Sequence, residues 1–147
     1  MIQQSLSELF ERDLTRLKEE ITLYSDESKI WVVKGEIKNS AGNLALHLLG
    51  NLNHFIGAVL GNNGYVRNRD AEFSDKNVSL TEMINNVDKT KEVIKSILSK
   101  ISDEELAEDY PVVVLAGKKM KTGYFLIHLA GHLNYHLGQI NYHRRLI

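Results

Sequence analysis

Residues 122–147 read TGYFLIHLAGHLNYHLGQINYHRRLI, and this closing stretch decides how the rest of the chain is read. Leu126, Leu129, Leu133, Leu137 and Ile140 recur at three- and four-residue steps, which puts them on one face of an α-helix. Beside that face run His128, His132, His136 and His143, within about 80° of one another at about 100° per residue. From Met120 to His143 the only charged residue is Lys121. A helix with no charged face is expected to be buried around most of its circumference, with its imidazoles inside.

A second uncharged stretch precedes it, since no Asp, Glu, Lys or Arg occurs from Asn39 to Val66. Ser40 is a suitable N-cap, Leu44, Leu48, Leu52, Phe55 and Val59 share a face, and Gly61-Asn62-Asn63-Gly64 breaks the pattern, so a helix is predicted over 41–60. It carries His47 and His54 within about 20° of each other, with Asn51 close by. All six histidines therefore fall on two helices. Two further helices have ordinary solvated faces. One is predicted over 2–25, from Ile2, Leu6, Leu9, Leu14, Leu17, Ile21 and Tyr24. The other runs from the capping pattern Ser79 to Glu82 through Leu80, Ile84, Val87, Ile94, Leu98 and Ile101. Ser102 to Glu105 repeats the capping pattern, Pro111 stops whatever follows, and Val112 to Leu115 is expected as a short extended piece.

Four long helices in 147 residues predict one all-α domain over 1–147, a four-helix bundle. The connections over 25–40, 61–79 and 101–121 are long, so a plain up-down-up-down order is not implied. A chain of this size folds without disulfides or a structural metal, so a metal bound here is expected to be functional. The net charge of −1 gives no drive toward nucleic acid or anionic lipid. The absence of cysteine excludes thiolate nucleophiles and zinc ribbons and fits a reducing compartment. The most apolar stretch, 44–60, is interrupted by His47, Asn51, Asn53 and His54, so no membrane span is expected. With no signal-peptide pattern at the amino terminus, a cytoplasmic location is expected.

Buried imidazoles need partners, because an unsatisfied polar group costs about 1–3 kcal/mol. With no carboxylate on either helix, the solutions are hydrogen bonds to Asn, Gln, Tyr and backbone, or a shared cation. Residues at i and i+4 can converge on a metal, whereas those about 10–12 Å apart along the axis cannot. His128 with His136, and His47 with His54, are thereby excluded as pairs, and His132 belongs to both allowed pairs on its helix. Spacing leaves His128 or His136 as its companion, and one histidine from the other helix. The string His132-Leu-Asn-Tyr-His136 is not a zincin motif, for no Glu follows its first His. Arg67 and Arg69 are candidates to hold a substrate carboxylate, and Tyr135 and Tyr142 to line a pocket mouth.

His132-Leu-Asn-Tyr-His136-Leu-Gly138-Gln139-Ile140 with Arg144-Arg145 resembles the last-helix motif of the DinB/YfiT-like superfamily. Asn43-Leu-Ala-Leu-His47-Leu is similar to that superfamily's first ligand segment, and Leu49 to His54 with Gly64 to Asp70 resembles an uncharacterised subgroup of it. The resemblance implies a bundle of up-down-down-up topology and a homodimer. It implies His47, His132 and His136 as ligands of a divalent ion, zinc or nickel, with His128 and His54 outside the triad. Asn51 and Gln139 are then expected to orient imidazole N–H groups or bound water. It further implies a metal-dependent transferase or hydrolase acting on a small molecule, such as an S-transferase using a low-molecular-weight thiol. The competing expectation is a non-catalytic dimeric bundle with a structural or incidental histidine cluster.

Overall fold

The computed structural model describes residues 2–147, and among them all helix-length structure is helical. In chain order the helices are α1 (Ile2–Thr22), α2 (Ala41–Leu52), α3 (Arg69–Ser74), α4 (Leu80–Leu98), α5 (Asp103–Ala107) and α6 (Thr122–Leu146). A 3-10 turn, Glu27–Trp31, follows α1, and α2 continues without a break as a π-helix, Asn53–Leu60. The four long helices stand where periodicity predicts them, with α1 and α4 each ending three residues early.

Local chemistry sets the boundaries. The Ser40 hydroxyl accepts from the Asn43 N–H at 3.2 Å, and Ser79 does the same for Glu82 at 3.1 Å. Among the described residues, the full reciprocal capping box forms only at Ser102 and Glu105. Val112 to Leu115 is not a strand. Leu115, Ala116 and Gly117 take left-handed backbone, closing a tight turn bridged by Val114 and Lys118.

Packing order follows from named pairs. Lys18 meets Asp88 at 2.6 Å and Thr15 meets Lys91 at 2.9 Å, so partners on α4 descend as α1 ascends. On α6 they ascend with it, Asp13 accepting from Asn134 at 3.1 Å and Glu20 from Arg144 at 2.7 Å. Asn53 donates to Thr90 at 2.8 Å and Gly61 abuts Ile97, so the second long helix and α4 run the same way. It opposes α6, with Phe55 on Phe125 and His47 on His132. The core between them is apolar, with Phe10, Leu14, Leu17, Leu48, Leu52, Met83, Val87, Leu126 and Leu133 almost wholly buried.

Both uncharged helices are expected to be buried around most of their circumference, and the one over 41–60 has no exposed residue. Every residue of α2 except Leu46 is buried. On α6 an entire side is open, with Tyr124, Ile127, Tyr135 and Tyr142 exposed. Among the described residues, no helix is long and apolar enough to cross a membrane.

Candidate metal centre

His47, His132 and His136 offer ring nitrogens that all lie within 4.8 Å of one another. His47 comes from the middle of α2, and the other two come from successive turns of α6. The antiparallel register of the two helices sets them at one level. The Nε2 atoms of His47 and His132 are 3.2 Å apart, close to the ~3.3 Å that separates two nitrogens on a tetrahedral ion with bonds of about 2.0–2.1 Å. The rings meet edge to face, with centroids 5.1, 5.4 and 4.6 Å apart around the triangle.

The outer nitrogens decide what the inner ones can do. His47 Nδ1 lies 3.0 Å from Glu72 Oε1, and a carboxylate accepts, so the proton sits on Nδ1 and Nε2 keeps its lone pair. Arg67 Nη2 lies 3.4 Å from the same nitrogen, but a guanidinium only donates and so leaves that proton to Glu72. His136 Nδ1 lies 2.6 Å from Gln139 Oε1, which fixes its tautomer in the same sense. Both rings are therefore left with an Nε2 lone pair, and that of His47 lies against His132 Nε2. His132 Nδ1 is buried with no hydrogen-bond partner, and so is Asn51 Oδ1. Burial, followed by the neighbouring imidazoles and Arg67, pushes His132 down to about 4, and burial also lowers His47. Both rings are thus neutral at pH 7, the state in which imidazole binds a metal. The donor set, its spacing and the free lone pairs fit a divalent ion.

Glu72 is the part of the site that periodicity does not reveal. It lies on α3, inside the stretch read as a connection. Asn68 caps that helix by accepting from Ala71 N–H at 3.1 Å, and Asn43 reaches across from α2 to donate to the carbonyls of Glu72 and Asp75. Gly50 makes the docking possible, because a Cβ there would run into the Glu72 carboxylate. Asn68 followed by Asp70 and Glu72 is a helix-start signal that was available in the sequence. Arg67, a candidate to support the ligands or hold a substrate carboxylate, is bound to Glu72 through Nε and Nη2, both at 2.8 Å, with 13% of its side chain exposed.

The remaining histidines lie elsewhere. His54 is about two turns beyond His47, inside the π-helix, against Phe55. His128 stacks between Phe125 and His132, one turn outside the triad. His143 bonds Tyr24 and the Val32 carbonyl. Tyr135, Tyr142, His136 and Gln139 line a cleft of about 570 Å³ to which Ile37, Lys38 and Leu44 also contribute.

The sequence matches, over residues 3–147, a family described as proteins of unknown function, DUF1572. No curated protein matches it significantly.

Proposed function

We propose that the chain, which belongs to the DUF1572 family of proteins of unknown function, binds a divalent cation on His47, His132 and His136 and acts with it on a small molecule. The observation that carries this reading is the convergence of three imidazoles with ring nitrogens within 4.8 Å of one another, two of them with outer partners that leave an Nε2 lone pair free. Zinc and nickel suit such ligands. Three protein ligands leave a coordination position open, and an ion held there would supply the Lewis acidity that lowers the pKa of a thiol or water.

The chain's own residues then divide the work. Glu72 and Gln139 keep protons on the outward nitrogens of His47 and His136. Arg67 holds both oxygens of Glu72 in place. Tyr135 and Tyr142 flank a cleft of the size that takes a small organic ligand. With no cysteine in the chain, sulfur chemistry would depend on a thiol brought by the substrate, as in a thiol-dependent S-transferase. The helix pairings support a DinB/YfiT-like bundle of up-down-down-up order, since α1 and α6 run one way and the other two long helices the opposite way.

Elemental analysis of protein purified without a histidine tag tests the reading. About one equivalent of divalent metal per chain is expected, falling below about a tenth in His132→Ala. With metal bound, transfer of a low-molecular-weight thiol to an electrophile should be lost in His136→Ala and kept in His128→Ala. Full metal without turnover would support a non-catalytic bundle, and no metal in the native protein would overturn the proposal.

A further inference from the structure

The cleft beside the candidate metal centre has a chemistry of its own, and His136 belongs to both. Gln139 Oε1 lies 2.6 Å from His136 Nδ1 and takes its proton, which spends the oxygen of the amide. The two N–H donors of that amide are left, and they make no hydrogen bond among the described residues. His143 lines the same cleft, but Tyr24 and the Val32 carbonyl already hold both of its nitrogens, so it offers a ligand only its ring. Glu36 and Lys38 put one charge of each sign at the cleft and so select neither an anion nor a cation. The rest of the lining is apolar. Leu44 is buried and Ile37 half-buried, while Tyr135, Tyr142 and Leu146 are 63% to 69% exposed. At about 570 Å³ the cleft falls within the range of about 300–1,000 Å³ that small organic ligands occupy.

We propose that this cleft binds an uncharged, ring-bearing small molecule with a carbonyl oxygen beside the ring, of the kind found in an aryl amide or ester. The ring covers the bare apolar surface of Tyr142 and Leu146, and the carbonyl accepts from Gln139 Nε2. Aromatic walls favour a ring over a flexible chain, because edge and offset contacts add to burial and a rigid ring loses little freedom on binding. An acceptor is required because the free group at the cleft is a donor, and a ligand that covered it without accepting would leave it unsatisfied. Gln139 thus faces two ways, its oxygen on a metal-ligating histidine and its nitrogen on the ligand, so the carbonyl is set next to His136. That the cleft serves the metal centre rests on the metal-centre reading, whereas the binding of such a ring does not.

Titration of metal-free, untagged protein with naphthalene-2-carboxamide, followed by amide NMR shifts, tests the cleft by itself. Saturable binding at about a millimolar or tighter is expected, and none with acetamide, which has the carbonyl but no ring. The side-chain amide signal of Gln139, identified by its loss in Gln139→Leu, should move on binding. Tyr142→Ser should weaken binding about tenfold, while Tyr124→Ser, an equally exposed tyrosine of the same helix outside the cleft, should leave it unchanged. No saturable binding, an unmoved Gln139 signal, or equal losses in the two tyrosine variants would overturn the proposal. Zinc-loaded protein then tests the link to the metal centre with two hydroxamates that share one chelating head. The naphthyl compound should bind at least about tenfold more tightly than acetohydroxamate, and equal affinities would overturn the link. A chain that binds the ring but no zinc overturns the metal-centre reading and keeps the ring site, so the two failures are distinguishable.

Discussion

The last turn of α6 and its middle bury imidazoles in opposite ways. At His143 both ring nitrogens are used: Nε2 donates to the Val32 carbonyl at 2.8 Å and Nδ1 accepts from the Tyr24 hydroxyl at 2.6 Å. Burial pushes the Tyr24 phenol up, which keeps it a donor. At His132 one nitrogen has no partner and the other faces a second imidazole. The first ring is a strut joining α6 to α1 and to the 3-10 turn. The second has a single polar contact, to another imidazole, and leaves its Nδ1 buried without a partner, a cost that calls for an explanation at a candidate site. Burial alone does not separate the two cases; the partners of each nitrogen do.

The comparison breaks first at His143. Replacing it by alanine leaves a cavity and strips partners from Tyr24 and Val32, so unfolding of the metal-free protein by denaturant should show a loss of about 2–4 kcal/mol. His132→Ala should cost far less, because its ring brings few satisfied bonds; equal losses would erase the distinction. Glu72→Gln comes next. It keeps the shape but removes the carboxylate that fixes the His47 tautomer, and metal affinity by calorimetric titration should fall about ten- to a hundredfold. An unchanged affinity would reduce Glu72 to an anchor for α3.

Asn51 sharpens the same point with an opposite sign. Its buried oxygen has no partner, so Asn51→Leu should raise the stability of the metal-free protein by about 1 kcal/mol, and a clear loss would show that the amide is satisfied. A further effect is in pH. Below its ordinary value near 6.5, the unfolded chain protonates His132 while the folded chain, at about 4, does not. The contribution is therefore intact above 6.5 and is lost as pH falls toward 4. That slope in metal-free stability should flatten in His132→Ala.

How much of this was legible in the sequence differs from residue to residue. Leucine spacing placed the long helices, and i, i+4 spacing made His132 a member of any site. Two features escaped for physical reasons. The π-helix begins at Asn53, whose side chain bonds the Leu49 carbonyl and Thr90, and that tertiary contact is not encoded in periodicity. Glu72 is a buried charge on a six-residue helix with no apolar stripe, so its role is visible only once α3 is folded onto Gly50. The uncharged surface of α6 was read as buried, yet one side is open in the protomer. Lack of charge signals contact without saying whether the contact lies within the chain.

The central claim is that the imidazoles at the middle of α6 are held for a metal and the one at its end for the fold. Calorimetric titration of zinc into metal-free, untagged protein tests it most directly, with His132→Ala and His143→Ala run alongside. One tight site per chain is predicted, lost in His132→Ala by on the order of a hundredfold or more in affinity and kept in His143→Ala. No binding by the native chain, or binding that survives in His132→Ala, would contradict it.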